Sequence, residues 1–172
     1  MIKFFRFVGV LSLSCLIVGC PLVSEYPLTS NMSVPINPKL VGTWIQEGNT
    51  TDTKSLSISI FAFNQQEYYM EVRDNNNIED VMRLRAFIST IDNVAFLNFT
   101  DITGCYKGYR YFKYLLSSDN VLNLRIIDDE LIPARPSTQE GLLSDIRRYI
   151  NNDNLYTVPI KFIRIDKSQN CR

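Results

Sequence analysis

Over most of the chain, apolar and polar residues alternate. In Leu56–Ile60, three apolar residues alternate with two serines, and in Glu67–Arg73 the residues Tyr68, Met70 and Val72 fall on one side of the chain. A period of two is typical of a β-strand that has one buried face. Segments of this kind predict eight strands, which cover residues 39–45, 56–60, 67–73, 82–91, 94–99, 106–116, 121–128 and 158–165.

The connections between these strands are mostly short and rich in turn-forming residues. Asn, Asp, Ser and Gln cluster at 64–66, 74–77, 92–93 and 117–120. Short connections join antiparallel neighbours, and eight successive antiparallel strands favour a closed barrel because closure leaves no unpaired edge. The sequence therefore predicts an all-β fold, a single up-and-down barrel of about eight strands, wide enough for packed side chains or one small ligand.

A helical period occurs in one segment, before the last predicted strand. Ser137–Glu140 has the pattern of a capping box, and it precedes a stripe of apolar residues. The stripe consists of Leu142, Leu143, Ile146, Tyr149 and Ile150. We expect one helix here, with its apolar stripe packed either on the sheet or over a mouth of the barrel.

The first twenty residues have a different pattern. Lys3 and Arg6 precede an uncharged apolar run over residues 7–18. Such a run is too short to cross the roughly 30 Å hydrocarbon core of a bilayer comfortably and is typical of a secretory signal peptide. It ends in Ile17-Val18-Gly19-Cys20, which resembles the lipobox of bacterial lipoproteins.

That resemblance implies a signal peptide over residues 1–19 and acylation of Cys20, so that lipid binds the protein to a membrane. Cys15 is a competing site, but Ser12 stands where the lipobox has an aliphatic residue. Two or three acyl chains make such an anchor effectively permanent. Because Pro21 follows in place of the Asp of inner-membrane retention, the resemblance favours the outer membrane of a bacterial cell envelope, on its periplasmic or surface face.

The next segment, residues 20–38, contains four of the seven prolines and no apolar period. Proline removes a backbone donor and forces its neighbour into an extended conformation. We therefore expect a lipidated tether over 20–38, with a reach of up to about 60 Å, and one barrel domain over 39–172.

Charge and histidine content narrow the chemistry. The 172 residues include 18 basic and 18 acidic residues and no histidine. The lack of histidine excludes Ser-His-Asp and Cys-His nucleophilic sites and His-ligated metals. Removal of Lys3 and Arg6 with the signal peptide leaves 16 basic against 18 acidic residues, which disfavours a nucleic-acid partner. We expect no enzymatic activity, no catalytic residue, no metal and no cofactor.

Two cysteines remain beyond the anchor, Cys105 and Cys171. In an oxidising envelope compartment two remaining cysteines most simply form a disulfide. Such a bridge contributes roughly 4 kcal/mol as an upper figure in the chain-entropy treatment. The alternatives are two free thiols, or one thiol bound to a partner.

The segment Leu40-Val-Gly-Thr-Trp44 resembles the Gly-x-Trp signature in the first strand of lipocalins and related calycin barrels. The resemblance implies that Trp44 closes the barrel bottom. The later Thr-Asp-Tyr motif of that family is replaced here by Thr100-Asp101-Ile102. The pattern over residues 40–165 is also similar to small envelope lipoproteins of unassigned function, and this likeness implies no chemistry.

Two other segments are candidates for chemistry. Asp128–Glu130 is the densest run of carboxylates, of a kind that can divide acid and base roles or hold calcium, although a solvated loop is the commoner arrangement. Tyr106–Tyr114 interleaves aromatic and basic residues and is a candidate stacking surface for a sugar or another partner. A histidine-free carboxylate hydrolase would need two inward carboxylates in a cleft.

The expected function depends on the inside of the barrel. A hollow barrel predicts a non-enzymatic, lipid-anchored binder of a small apolar or amphiphilic ligand, whereas a filled barrel predicts a structural or protein-interaction module of the envelope. A cavity of roughly 300 Å³ or more separates the two. The residues expected to line or fill it are Leu56, Ile58, Ile60, Tyr68, Met70, Leu84 and Phe112.

Overall fold

A computed structural model of the chain describes residues 21–30, 32–48, 56–74, 77–104, 107–132 and 136–165. The strands are β1 (Gly42–Gln46), β2 (Leu56–Ala62), β3 (Glu67–Asp74), β4 (Asn77–Ile91), β5 (Val94–Asp101), β6 (Tyr109–Ser118), β7 (Val121–Ile126) and β8 (Ile160–Ile165), and helix α1 (Gln139–Tyr149) lies between β7 and β8. Each strand pairs antiparallel with the next, and β1 pairs with β8. The predicted fold, an all-β barrel of eight antiparallel strands with one helix before the last, is confirmed.

The alternating pattern decides which side chains face inward. Trp44 of β1 lies opposite Ile58 of β2 and Arg164 of β8, and Ile58 in turn lies opposite Val72 of β3. Directly opposed residues project to the same face of a sheet, so the register continues the inward face around the whole barrel. The inward side chains form one core cluster.

The β4–β5 hairpin follows the turn chemistry of the sequence. Asp92 and Asn93 have φ values of 47° and 67°, and the flanking residues Ile91 and Val94 are paired. Two successive positive φ values define a type I′ turn, whose twist matches that of the strands. Asn and Asp tolerate this conformation better than other side chains.

Helix α1 packs on the outside of the barrel. Leu142, Ile146 and the following Ile150 are buried against Phe96 of β5 and Tyr111 of β6, which face outward. Of the two expected locations, the helix therefore occupies the face of the sheet. Its N-cap is Thr138, one residue later than the predicted capping box, and the Thr138 Oγ1 accepts a hydrogen bond from the Gly141 amide at 3.1 Å.

The described part of the expected tether packs against the barrel. The Leu22 amide donates to the Ile127 carbonyl at 2.9 Å, and Ser24 exchanges two backbone hydrogen bonds with Tyr109. Leu22 and Leu28 are buried in the same outer cluster as α1. The expectation of a free spacer is wrong because side chains and single bridges bind this proline-rich segment without a regular hydrogen-bond ladder.

Buried polar groups fasten the same segment farther along the barrel. The side-chain oxygen of Asn98, on the outer face of β5, accepts a hydrogen bond from the Leu28 amide at 2.7 Å, and its side-chain nitrogen donates to the Ser89 hydroxyl at 2.7 Å. The segment later meets the β2–β3 turn, where the Ile36 amide donates to the Gln65 carbonyl at 3.0 Å. Residues 21–40 therefore run the length of the barrel before β1 begins.

A candidate ligand cavity at one end of the barrel

The two ends of the barrel differ in how the described residues fill them. We call the end at which β1 begins the closed end, and the end at which β1 finishes the open end. Because neighbouring strands are antiparallel, the open end also contains the start of β2, the end of β3 and the start of β8. We refer to the inward side chains near each end as the closed half and the open half.

The closed half is built around Trp44, which is completely buried. Its indole Nε1 donates a hydrogen bond to the Leu40 carbonyl at 2.9 Å. The Arg164 guanidinium lies over the indole ring, 4.5 Å from its centroid, and its Nη1 donates to the Val41 carbonyl at 3.1 Å. A buried indole with a satisfied N–H and a cation on its face makes a stable plug.

The backbone geometry at Gly42 explains why the Gly-x-Trp segment has a glycine at this position. Gly42 has a φ of 148°, and a Cβ added there would lie 3.2 Å from Arg164 Nη1. A residue with a side chain would therefore strain the backbone and push the guanidinium away from the Val41 carbonyl. Arg164 itself was not singled out from the sequence, although it continues the inward alternation of Ile160 and Phe162 along β8.

Tyr68 ties the closed half to the segment that precedes β1. Its hydroxyl accepts a hydrogen bond from the Asn37 amide at 2.5 Å and lies 3.3 Å from the Asn37 carbonyl, to which it donates. Burial raises the pKa of the Tyr68 phenol well above its usual value, so the hydroxyl stays protonated. Ile60 and Met70, also expected to line or fill the barrel, are buried beside it.

The open half holds a cavity of about 350 Å³. Four residues expected from the sequence, Leu56, Ile58, Leu84 and Phe112, line it, whereas Ile60, Tyr68 and Met70 do not. The rings of Phe99 and Phe112 stack on one another with centroids 4.4 Å apart. The remaining lining residues are Pro21, Val72, Met82, Arg110, Leu124, Ile126, Ile160 and Phe162.

Arg110 is the charged residue of the lining. It lies on β6 opposite Phe99, so the register directs it to the inner face, toward the open end. A guanidinium has five donors in a rigid fork, and it places a hydrogen-bonding group beside an otherwise apolar wall. Sequence reasoning assigned Arg110 to an aromatic surface strand, because its inward position depends on the register of β6.

Pro21 places the start of the described chain at the cavity. It forms a bridge with Asp128, just beyond the end of β7, and it is one of the lining residues. Met82 lines the same cavity and remains 37% exposed, so this end of the barrel is accessible to solvent. Sequence periodicity does not indicate this contact, because residues 20–38 have no apolar period.

The other two candidate segments are structural. Asp128 is buried and its Oδ1 accepts a hydrogen bond from the Glu130 amide at 3.2 Å, while Asp129 and Glu130 are exposed in a turn. Tyr111 is completely buried under the N-terminal segment, with its hydroxyl donating to the Tyr26 carbonyl. The outer face of β6 is therefore covered where a stacking surface was expected.

Some predicted residues lie outside the described residues: Cys20, Cys105 and Cys171. The described residue nearest Cys105 is Gly104, which follows β5 at the open end. The described residue nearest Cys171 is Ile165, which ends β8 at the closed end. A bridge between Cys105 and Cys171 therefore requires the six residues 166–171 to run back along the barrel, and six extended residues span about 20 Å. The pairing stays a prediction, with this requirement added.

Two properties of the described part of the chain bear on membranes and metals. Within it, no helix combines the length and the apolar character needed to cross a bilayer. Within the same ranges, no three Cys, Asp or Glu side chains come together in a way that could hold a metal ion.

The cavity is the feature of this barrel that bears most directly on function. Seven of the eight strands, β2 to β8, contribute to its described lining. Comparison with protein-family models, with curated proteins and with solved structures finds no match to this chain.

Proposed function

We propose that this protein is a non-enzymatic, lipid-anchored protein of the bacterial cell envelope that binds a small apolar or amphiphilic ligand in the open half of its barrel. The observation that carries the proposal is the cavity of about 350 Å³, whose lining, as far as the described residues form it, is apolar except for Arg110. Ligand sites commonly have volumes of about 300–1,000 Å³ and an apolar lining with a few polar groups.

The volume sets the size of the ligand. A methylene group needs about as much space as a water molecule, about 30 Å³, so the cavity holds about a dozen carbon atoms. Burial of each methylene contributes about 0.8 kcal/mol, and association costs at least about 4 kcal/mol. The surplus of about 6 kcal/mol corresponds to a dissociation constant on the order of tens of micromolar.

Arg110 favours an amphiphile over a pure hydrocarbon. A ligand that carries a carboxylate or another anionic group at one end gains a charge-assisted hydrogen bond if that end reaches the guanidinium. The rest of such a ligand would contact the stacked rings of Phe99 and Phe112 and the aliphatic side chains around them. A single-chain amphiphile of about a dozen carbons fits both features.

The anchor is supported by the sequence of the first twenty residues. Ile17-Val18-Gly19-Cys20 resembles a lipobox, and Pro21 favours the outer membrane. We expect Cys20→Ser to move the protein from the membrane fraction to the soluble fraction or to leave it unprocessed, as detected by fractionation and intact mass. Membrane fractionation of a processed Cys20→Ser protein would contradict the anchor.

Binding is tested with a chain that starts at residue 20 and carries Cys20→Ser, which contains every residue of the described fold. We expect N-phenyl-1-naphthylamine to gain fluorescence on binding to it with a dissociation constant in the micromolar range. Leu124→Trp places an indole in the cavity and should weaken binding at least about tenfold, since lining space is lost.

The matched control is Leu115→Trp. Leu115 lies on β6 with 62% of its surface exposed, so the same substitution there adds an indole to the surface and leaves the cavity unchanged. Equal loss of probe binding in both variants, or no binding by the parent chain, would contradict a ligand site in the open half.

The second candidate is a protein-interaction module. Phe61 and Phe63, near the closed end, are 45% and 58% exposed. Exposed aromatic residues are frequent anchors of protein interfaces. This candidate gains support if the parent chain fails to bind the probe, because the cavity would then have no demonstrated occupant.

A further inference from the structure

The described chain begins at the edge of the cavity in the open half. Pro21 contributes to the cavity lining, and its bridge to Asp128 and the hydrogen bond from the Leu22 amide to the Ile127 carbonyl hold it there. Burial of Leu22 in the outer cluster fixes the same position from the other side. The start of the described chain is therefore bound to the rim of the cavity.

Covalent geometry limits how far Cys20 can lie from Pro21. Consecutive Cα atoms are about 3.8 Å apart, so any group attached to the Cys20 backbone nitrogen or Sγ starts within a few bonds of the lining residue Pro21. An acyl chain of a dozen carbons is long enough to reach through the cavity from such a point. A free tether over residues 20–38 would have separated Cys20 from the cavity, but the described residues of this segment lie against the barrel.

We propose that one acyl chain of the lipid on Cys20 occupies the cavity of the same molecule. This inference rests on the proposed function, because it requires both the anchor at Cys20 and an apolar ligand site in the open half. The other acyl chains stay in the bilayer, and the open end of the barrel faces the membrane surface.

The occupant is chosen by comparing two sources of acyl chains. A free membrane lipid reaches the cavity only by diffusion, whereas the lipid on Cys20 is attached next to the lining residue Pro21 and can move one chain while the rest stay in the bilayer. Transfer of a single chain from bilayer to cavity exchanges one apolar environment for another, so its free-energy cost is small. Attachment then holds this chain beside the cavity at an effective concentration of about millimolar, an advantage that a free membrane lipid lacks.

The lining supports a chain that enters from Pro21. Next to this entry, β6 contributes Arg110 and Phe112, and β7 contributes Ile126 and Leu124, successively deeper from the open end. Arg110 lies near the entry, where the polar carbonyl group of an acyl linkage would be. The apolar residues beyond it contact the hydrocarbon.

An occupied cavity has a consequence for the ligand. Any external amphiphile must displace the attached chain, so the lipidated protein binds such molecules more weakly than the chain without lipid. Displacement would return the acyl chain to the bilayer. Ligand binding and the seating of the barrel on the membrane are therefore linked.

Photocrosslinking in membranes tests the proposal on the complete lipidated protein. Cells are fed a fatty acid that carries a diazirine, the membranes are irradiated, and peptides are analysed by mass. We expect adducts that join the Cys20 lipopeptide to the peptide containing Phe112 or Ile58 of the same chain. The variant Leu124→Trp should reduce these adducts at least about tenfold, and Val72→Phe serves as a second cavity-filling variant, while Leu115→Trp should leave them unchanged.

The alternative outcomes have distinct masses. Lining peptides joined to a free phospholipid identify a bilayer lipid as the occupant, which overturns the inference and leaves the proposed function standing. Adducts of the Cys20 lipid with bilayer lipids alone overturn the inference as well. Absence of lipid on Cys20, or a lining that is labelled from neither source in a protein that also fails to bind N-phenyl-1-naphthylamine, overturns the inference and the proposed function together.

Discussion

The closed half and the open half are built from the same strands with the same alternating pattern, yet among the residues that the structure describes only the closed half is filled. Trp44, Tyr68 and Leu40 are completely buried in the closed half, and residues from the segment before β1 pack among them. In the open half the inward residues are also apolar, but they surround a cavity of about 350 Å³. The difference lies in what enters each end.

Residues of the segment before β1 and the Arg164 guanidinium pack at the closed end. Leu40 is the last residue of the 3-10 helix Pro38–Leu40, and Val34 and Ile36 pack against the same core cluster. Arg164 covers the indole of Trp44. The open end receives Pro21 alone from the same N-terminal segment. We infer that the closed half supplies stability, whereas the open half is free to supply binding.

The largest expected effect is that of Trp44→Ala. Truncation of a completely buried tryptophan removes its apolar contacts and leaves a void, which costs about 3–5 kcal/mol in free energy of unfolding. The variant also leaves the Arg164 guanidinium without the indole face. Urea denaturation followed by far-ultraviolet circular dichroism measures the loss, and a loss below about 1 kcal/mol would show that the closed half is not the stabilising region.

A pair of identical substitutions on β7 compares the two halves directly. Leu122 and Leu124 are both inward and buried, but only Leu124 lines the cavity. We expect Leu122→Trp to lower the free energy of unfolding by about 1–3 kcal/mol because the closed half has no space for the larger ring. Leu124→Trp should cost less, under about 1 kcal/mol, because the ring enters existing space.

The same denaturation measurement on both variants decides this point. Equal losses would mean that the open half is packed as tightly as the closed half in solution. A larger loss for Leu124→Trp than for Leu122→Trp would reverse the comparison.

The smallest effect concerns ion pairs on the outer face of the barrel. Glu67 lies at the start of β3, near the closed end, and is 7% exposed. Its Oε2 lies 2.6 Å from Arg85 Nη2. Burial opposes ionisation of Glu67, but hydrogen bonds from Arg85 and Asn64 outweigh it and hold the pKa of Glu67 below its usual value. Farther along β3, hydrogen bonds from Arg73 and Tyr69 likewise lower the pKa of Glu71.

A carboxyl group whose pKa is lower in the folded state stabilises the protein above its unfolded pKa, and this contribution is lost as the pH falls through the folded pKa. Arg85→Gln should therefore destabilise the protein at neutral pH by under about 1 kcal/mol and flatten the loss of stability below the usual Glu pKa of about 4.3. Arg73→Gln is the matched control and should have a smaller effect, because Glu71 is more exposed than Glu67. Thermal unfolding between pH 3 and 7 measures both, and equal slopes in all three proteins would contradict the assignment.

Much of the fold follows from local sequence, and the differences have identifiable causes. Alternation located all eight strands, and turn residues such as Asp92 and Asn93 located their hairpins. Two strands begin later than predicted, because alternation alone does not show where pairing between strands starts: β6 begins at Tyr109, and β8 begins at Ile160. The contacts of Leu22 and Leu28 escaped prediction because single buried leucines in a proline-rich segment have no period.

The candidate site was predictable only in part. Ile58 and Ile60 are adjacent inward positions of one strand with identical side chains, so no local pattern distinguishes the residue that lines the cavity from the residue that only fills the core. Arg110 and Arg164 lie at inward positions that became evident only with the register of β6 and β8. Both depend on pairing between strands rather than on neighbours in the chain.

The sequence by itself determined the number of strands, their antiparallel order and the inward set of apolar residues, because a period of two and short turns are local properties of the chain. The tertiary structure alone decided which half of the barrel is filled and that Pro21 lies at the mouth of the other half. These outcomes depend on where the described residues before β1 pack, and that packing is set by contacts with residues distant in the chain, such as the hydrogen bonds of Asn37 with Tyr68 at a separation of 31 residues and of Leu28 with Asn98 at a separation of 70.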